Sequence, residues 1–185
     1  MNNNKIKILA LFGKSGAGKD TVLEKITTDY PNVNKIVSCT TRPKRDYEEN
    51  GIQYYFLSTK DFLQQVKEGK MLEATEFRDW LYGTPLWALD SQKINIGVFN
   101  IAGITKILEN PNLEVLPLFI SAPDKVRLER ALNREDDPDC LEICRRFLTD
   151  EKDFSKIPFN FLTFDNVSEE FDDAYFRAYM DKLLK

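Results

Sequence analysis

The sequence contains no histidine, and only three of its 185 residues are cysteines. The absence of histidine excludes imidazole metal ligands and the serine or cysteine triads that use histidine as their base. The cysteines, Cys39, Cys140 and Cys144, are too few and too irregularly spaced for a disulfide framework or a zinc site. The chemistry of this protein therefore uses neither imidazole nor a cysteine cluster.

Long apolar runs are also lacking. No run approaches the roughly 20 residues that a membrane span needs, and residues 1–5 lack the profile of a signal peptide. The formal net charge of −4 argues against a general nucleic-acid binder, so basic side chains are expected in a local pocket. We expect a cytoplasmic protein, monomeric or homodimeric, with no membrane or nucleic-acid partner.

What is present is an alternation of strand-like and helix-like segments. With 42% hydrophobic and 30% charged residues, the chain suits one compact α/β domain over residues 1–185. The pattern predicts a doubly wound parallel sheet of about five strands, which binds ligands at the C-terminal ends of the strands. Strand patterns occur at residues 5–12, 35–39, 94–100, 115–121 and 159–164. Helix patterns occur at residues 20–29, 103–109, 122–134 and 169–184, and a further one follows the acidic break at 135–139 and ends at about residue 154.

Between residues 37 and 83 this alternation is interrupted. Strand signals at 53–57, 70–77 and 80–83, with a short helix after Ser58, are typical of hairpins. They predict a small inserted subdomain with a mixed or antiparallel sheet, and a core made of residues 1–36 and 84–185. After the insert, Thr84-Pro85 has the N-cap and first-turn chemistry of a helix.

A glycine loop separates the first strand pattern from the first helix pattern. Its glycines and lysine have the spacing G-x-x-x-x-G-K. A loop with this spacing directs backbone N–H groups and a helix N-terminus toward one point, where a polyphosphate is the expected ligand. A glycine turn that merely ends a strand is the alternative. The position after the lysine is normally serine or threonine, but here it is aspartate. The loop consists of Gly13, Lys14, Ser15, Gly16, Ala17, Gly18, Lys19, Asp20 and Thr21.

Residues 38–56 match a longer gapped pattern, S-x-x-T-R-x-x-R-x-x-E-x-x-G-x-x-Y-x-F, at every named position. This segment resembles the nucleotide-monophosphate segment of guanylate kinases. The guanidinium groups of Arg42 and Arg45, with the Tyr54 hydroxyl, can clamp one phosphate by forked, charge-assisted hydrogen bonds. On their own, the two arginines could equally belong to a solvated basic loop. The resemblance, which spans roughly residues 9–166, implies a P-loop kinase fold with ATP as donor, GMP or dGMP as acceptor, and Mg²⁺.

The resemblance also implies how the acceptor is recognised. Glu73 stands where a carboxylate can accept hydrogen bonds from the N1–H and N2–H₂ edge of guanine, which adenine cannot supply. Ser38 and Thr84 could add contacts to the base, and Tyr82 a contact to the phosphate. Without the resemblance, Glu73 would be an ordinary glutamate on a strand surface.

A helical lid over about residues 127–147 is the third implied part. Arg134 and one of Arg145 and Arg146 match lid arginines, which neutralise charge on the transferring phosphoryl group. The alternative is a solvated basic helix with intrahelical pairs to Glu129 and Glu142. On the donor side, Asn166 falls where the family has an asparagine near adenine.

The chain departs from the family pattern at two positions. Asn100 stands where the family carries a carboxylate that contacts the acceptor nucleoside or the metal. Asp20, on the metal side of the glycine loop, brings a carboxylate of its own. We hypothesise that Asp20 and Thr21 take over the positioning of Mg²⁺.

Three functions are compatible with the sequence. The first is ATP-dependent phosphoryl transfer to GMP or dGMP, in which Lys19 and Arg42 assist together with the lid arginines. The second is a guanylate-kinase-like binding module that has lost catalysis, which Asn100 favours. The third is a related kinase that acts on another nucleoside monophosphate or on a phosphorylated sugar.

Overall fold

The computed structural model describes residues 5–46, 48–77, 79–134, 138–166 and 173–184. Its strands are β1 (Ile6–Phe12), β2 (Val33–Lys35), β3 (Cys39–Thr40), β4 (Tyr55–Phe56), β5 (Met71–Phe77), β6 (Trp80–Pro85), β7 (Ile94–Val98), β8 (Leu113–Ser121) and β9 (Leu162–Asp165). Its helices are α1 (Lys19–Asp29), α2 (Thr59–Lys67), α3 (Ile101–Leu108), α4 (Asp124–Leu132), α5 (Cys140–Asp153) and α6 (Asp173–Leu183).

Five strands form a parallel sheet in the order β2-β7-β1-β8-β9. Strand β1 lies in the middle, and its residues from Ile8 to Phe12 are at most 2% exposed. Their near-continuous apolar character follows from this position, because a central parallel strand is covered on both faces. The predicted α/β fold with a doubly wound parallel sheet is confirmed.

Helices cover both faces of this sheet. On one face α1 and α6 pack on β1 through a cluster that includes Val22, Ile26 and Phe176. On the other face α3 packs through Ile104 and Ile107. The glycine loop between β1 and α1 is thereby fixed at the C-terminal end of the central strand, where ligands bind in this architecture. No helix among the described residues is long and apolar enough to cross a membrane.

A second sheet of four short strands has the order β4-β3-β6-β5. Its β3–β4 pair is parallel, and its β3–β6 and β5–β6 pairs are antiparallel. The predicted mixed sheet is therefore present. Strand β6 ends at Pro85, two residues beyond residue 83, the end that the sequence predicts for the insert.

One predicted strand, residues 35–39, is wrong as a single element. The chain pairs with the central sheet only through β2 and the hydrogen bond from Ile36 N to Ile96 O, at 2.8 Å. It then crosses to the second sheet, where Ser38 O accepts from Tyr55 N and β3 begins. An apolar run of residues can pass from one sheet to another, and its hydrophobic periodicity does not show where the chain changes sheets.

The helix predicted from Thr84-Pro85 is also wrong. Both residues belong to β6, where Thr84 pairs with Glu73 and Pro85 with Met71. Only a single 3₁₀ turn, Leu86–Ala88, follows. Sheet pairing has overridden local capping chemistry, and Pro85 is tolerated at the last position of its strand.

Other boundaries move by a few residues. The strand predicted at 53–57 shortens to β4, and the one predicted at 94–100 ends at Val98, because Asn100 caps α3 and starts that helix at Ile101. Helix α4 ends at Leu132, and the last strand spans Leu162–Asp165. Ser58 does cap α2, since its hydroxyl oxygen accepts from Asp61 N. The predicted start of the last helix at residue 169 lies outside the described residues.

Candidate active site

The glycine loop wraps tightly around the lysine that ends it. Lys19 Nζ donates to the carbonyl oxygens of Gly13 and Lys14, at 2.9 and 3.1 Å. Gly16 has a φ of 78°, and a Cβ there would lie 2.5 Å from the Arg127 carbonyl oxygen. Only glycine therefore fits this left-handed, crowded position. The Lys19 ammonium group therefore lies inside the concave side of the loop, a geometry typical of phosphate-binding loops.

Charged side chains of both signs surround the loop. Burial lowers the pKa of Lys19, against the raising effect of Asp20 and Asp150. A bound polyphosphate would favour its charged form. Asp20 and Thr21 lie exposed in the first turn of α1. Lys14 pairs with the carboxylate of Glu151.

Asn166 lies against the far side of the loop. It is 5% exposed, and its Nδ2 donates to Ala17 O at 2.9 Å. Its backbone N–H donates to Ser121 O at 2.7 Å. The structure therefore places this residue beside the loop backbone, and its contact with adenine stays a prediction.

The predicted phosphate clamp is ordered around a buried carboxylate. Arg42 is 9% exposed, and its NH2 donates to Glu48 Oε1 at 2.6 Å. Glu48 Oε2 accepts from the backbone N–H of Arg45 at 2.9 Å. The Arg42 guanidinium lies 5.7 Å from the ring centre of Tyr54 and 5.6 Å from that of Phe56. The side chains of Arg42 and Tyr54 are thus brought together, and Glu48 holds the backbone of Arg45 beside them.

Glu48 and Tyr54 have opposite shifts in pKa. Burial alone would raise the pKa of Glu48, but hydrogen bonds from Arg42 and from Arg45 N hold it below its usual range. Burial raises the pKa of Tyr54 well above its usual value, so its hydroxyl stays protonated and can donate. The Tyr54 and Tyr82 rings pack at 5.9 Å.

Glu73 is buried on β5, at 8% exposure, opposite Thr84 on β6. Burial raises the pKa of Glu73, and the neighbouring Thr84 and Lys106 oppose that rise. Asn100 lies close by, where its Oδ1 accepts from Gly103 N at 2.7 Å and its Nδ2 donates to Thr75 Oγ1 at 2.8 Å. Asn100 is therefore the N-cap of α3 as well as a neighbour of the predicted base site.

The predicted lid arginines are held mainly by one glutamate. Glu142 accepts from Arg145 at 2.6 and 2.9 Å and from Arg146 at 2.6 Å. These hydrogen bonds lower the pKa of Glu142 to about 2. Arg134 is exposed, and its charge acts on Lys19. The intrahelical pairing that the sequence left open is therefore present for Arg145 and Arg146.

One cavity of about 490 Å³ connects the glycine loop with the second sheet. The predicted site residues that line the cavity are Gly13, Ser15, Lys19, Ser38, Tyr54, Glu73, Tyr82 and Asn100. The remaining predicted site residues do not line it, and four of them are exposed: Asp20, Thr21, Arg134 and Arg145.

Comparison with known proteins agrees with this geometry. The family model described as guanylate kinase matches residues 5–178. The chain belongs to the guanylate kinase family. It is 33% identical to a guanylate kinase of Malacoplasma penetrans over 140 residues, which cover 72% of this chain and 71% of that protein. It is 35% identical to one of Prochlorococcus marinus over 136 residues, 71% of this chain and 73% of that protein.

A solved structure supports the fold. The crystal structure of guanylate kinase from Anaplasma phagocytophilum superposes with a TM-score of 0.69 at 23% identity, covering 97% of this chain and 86% of that chain. The central parallel sheet and the glycine loop are therefore parts of a P-loop kinase fold.

Two features of this guanylate kinase family member were missed by reasoning from the sequence. Glu48 is part of the matched pattern, but spacing gives no sign that it bonds both the Arg42 guanidinium and the Arg45 backbone. Arg127, at the start of the predicted lid, is 1% exposed and pairs with the buried Asp150. A charged residue at that depth is rare, so composition offers no signal for it.

Proposed function

We propose that this protein transfers the γ-phosphoryl group of ATP to GMP or dGMP, giving ADP and GDP or dGDP. One observation carries the proposal: the phosphate loop and the buried carboxylate of Glu73 lie on the walls of one cavity. A polyphosphate donor and a guanine acceptor would therefore face each other. Such transfer needs positioning and charge neutralisation more than covalent chemistry, so a chain without histidine can perform it.

On the donor side, the backbone N–H groups of residues 13–21 would bind the ATP phosphates. Lys19 is held at the centre of the loop and would contact the β- and γ-phosphate oxygens. Asn166, against Ala17, would lie near adenine.

On the acceptor side, Arg42 and Arg45 would hold the GMP phosphate, with hydroxyl contacts from Tyr54 and Tyr82. Glu48 already fixes Arg42, so little side-chain entropy is lost when the phosphate binds. Glu73, with Ser38, Thr84 and Asn100 around it, would read the guanine base.

Mg²⁺ fits the loop in the way that kinases use it. This ion keeps several waters and takes one or two protein oxygens beside the substrate phosphates, so it needs no dedicated protein cage. Among the residues that the structure describes, no group of three acidic, histidine or cysteine side chains could hold a metal. Asp20 and Thr21 are exposed oxygen donors beside Lys19 and would hold the ion. When bound, the ion neutralises charge on the donor phosphates.

In the transfer itself, a phosphate oxygen of GMP attacks the γ-phosphorus, and the bond to the β–γ bridging oxygen breaks. Arg42 and Lys19 would stabilise the charge on the transferring group from opposite sides. Arg134, Arg145 and Arg146 would complete the neutralisation from the lid. No protein nucleophile takes part.

The binding-module alternative is favoured by Asn100, which lacks the charge that a carboxylate would supply. It is opposed by Lys19, which is held ready for phosphate, and by the ordered Arg42. A kinase for another acceptor would not need a buried carboxylate at Glu73.

We also propose that residues 37–83 act as the acceptor-binding subdomain and residues 127–147 as the lid. The protein would be a cytoplasmic monomer or homodimer.

A coupled assay of ADP release with ATP and Mg²⁺, run in turn with GMP, dGMP, AMP, CMP, UMP and dTMP, tests the proposal. GMP or dGMP should be turned over fastest. No turnover with either would refute the proposed function, and a faster reaction with another acceptor would favour the third alternative. The same assay with Asp20→Ser should show a higher Mg²⁺ requirement, and an unchanged requirement would refute the metal role of Asp20.

A further inference from the structure

The most deeply buried charge in the described chain belongs to Arg127 on α4, at 1% exposure. Its Nε donates to Ser15 O at 2.8 Å, and its NH2 donates to Asp150 Oδ2 at 2.9 Å. The same Asp150 oxygen accepts from Ser15 N at 2.7 Å. We call Arg127, Asp150 and the Ser15 backbone the loop brace. Both backbone polar groups of one phosphate-loop residue are thus held by one ion pair.

The two charged side chains of the brace are almost completely buried. The guanidinium carbon of Arg127 lies 4.4 Å from the ring centre of Phe147, and Asp150 is 4% exposed. The backbone of Arg127 also supports the loop, since Gly16 packs so closely on it that no Cβ would fit. One residue further along α5, Glu151 pairs with Lys14. Consecutive loop residues are therefore held by α4 and α5, the two helices that make up most of the predicted lid.

A buried ion pair contributes little to stability compared with an apolar pair of similar volume, because burial removes both charges from water. What an apolar pair cannot supply is directed hydrogen bonds to a backbone N–H and C=O. We propose that Arg127 and Asp150 are positioning residues that hold the first arm of the phosphate loop in the geometry that binds the nucleotide phosphates. This inference rests on the proposed function insofar as the loop is the donor site.

Asp150 would otherwise be unfavourable where it lies. Asp150 and Ser15 both line the cavity with Lys19, so an uncompensated carboxylate would repel the donor phosphates. Arg127 neutralises it. If Asp150 instead acted as a substitute anion that blocks the empty site, removing its charge would strengthen nucleotide binding. The two roles therefore predict opposite changes in affinity.

The test is the binding of ADP with Mg²⁺, measured by titration calorimetry, for wild type, Asp150→Asn and Asp124→Asn. Asparagine lacks the charge that pairs with the buried Arg127, and its amide offers one acceptor oxygen in place of the two of the carboxylate. Its Kd for ADP should rise roughly tenfold, since small displacements of phosphate-binding groups are costly. Asp124 bonds the same arginine at 2.5 Å but is 71% exposed and does not contact the loop, so Asp124→Asn is the matched control, with Kd within about twofold.

Steady-state kinetics provide a readout that a purely stabilising role would not change. In Asp150→Asn the KM for ATP should rise while the KM for GMP stays the same. Arg127→Lys, whose ammonium cannot bond Ser15 O and Asp150 in the same fork, should behave alike and serves if Asp150→Asn does not fold. Thermal unfolding followed by circular dichroism should first establish a temperature at which all variants are folded, and binding and kinetics are then compared at that temperature.

An ADP affinity that is unchanged or higher in both Asp150→Asn and Arg127→Lys would overturn the proposal. Because ADP binding involves no GMP, a wild-type protein that binds ADP but does not phosphorylate GMP would refute the proposed function and leave this comparison valid.

Discussion

At the scale of single residues, the site depends on buried carboxylates whose environments differ. Glu48 is held ionised by Arg42 and Arg45, whereas burial raises the pKa of Glu73, which has weaker compensation. The Glu48 carboxylate is therefore a fixed anion that holds the guanidinium of Arg42. The Glu73 carboxylate is costly to keep charged in the empty site, and guanine N–H donors would relieve that cost.

Glu73→Gln should separate function from stability. The amide presents an N–H₂ group to the guanine N2–H₂ group, so the KM for GMP should rise roughly tenfold or more while the KM for ATP changes little. Steady-state kinetics with each substrate varied in turn would measure this. An equal loss with guanine and non-guanine acceptors would refute the base-reading role of Glu73.

The pH dependence of Glu73 has a definite sign. Because its folded pKa is raised, its contribution to stability is fully present below the unfolded value of about 4.5 and is lost as pH rises through the folded pKa. Glutamine does not ionise, so Glu73→Gln should unfold at a higher temperature than wild type near neutral pH, with a smaller difference in acid. Thermal unfolding followed at both pH values checks this. A variant less stable than wild type at neutral pH would contradict it.

Glu48→Gln should weaken acceptor binding through the arginines. The neutral amide leaves the buried Arg42 without its anionic partner, so the KM for GMP should rise roughly tenfold and the KM for ATP little. Glu49→Gln is the matched control, because that neighbouring side chain is exposed and should leave both KM values unchanged. If both variants keep the wild-type KM for GMP, Glu48 does not position the clamp.

At the scale of elements, the phosphate loop is specified by close backbone packing as much as by its sequence pattern. The motif predicts the loop and its lysine correctly. It does not predict that Arg127 turns inward beneath the loop, because spacing on a helix does not show which face is buried. The same limit explains Thr84-Pro85, where pairing with β5 determines the structure and local chemistry does not.

Gly16→Ala should damage the loop specifically. Its Cβ would approach the Arg127 carbonyl oxygen to 2.5 Å at a φ of 78°, so we expect a loss of about 1–3 kcal/mol in the free energy of unfolding and a large rise in the Kd for ADP. Gly69 has a similar φ of 67°, but nothing lies within 4 Å of a Cβ there. Gly69→Ala should cost about 1 kcal/mol and leave ADP binding unchanged. Equal ADP affinities in the two variants would contradict the packing argument.

At the scale of the whole molecule, the parallel sheet and the inserted mixed sheet could be predicted because each follows from patterns that extend over many residues. That residues proposed to bind the donor and the acceptor line one cavity could be expected only through the family resemblance. The crossing at residues 36–38 and the loop brace depend on contacts between residues far apart in the chain, and a single sequence does not encode such contacts in any local period.

The most direct measurement of the central claim is chromatography of the nucleotides after incubation of the protein with ATP, GMP and Mg²⁺. If the cavity binds donor and acceptor together, ADP and GDP should appear in equal amounts, and neither should accumulate when GMP is omitted. Formation of ADP without GDP, or no conversion of either nucleotide, would contradict phosphoryl transfer to GMP.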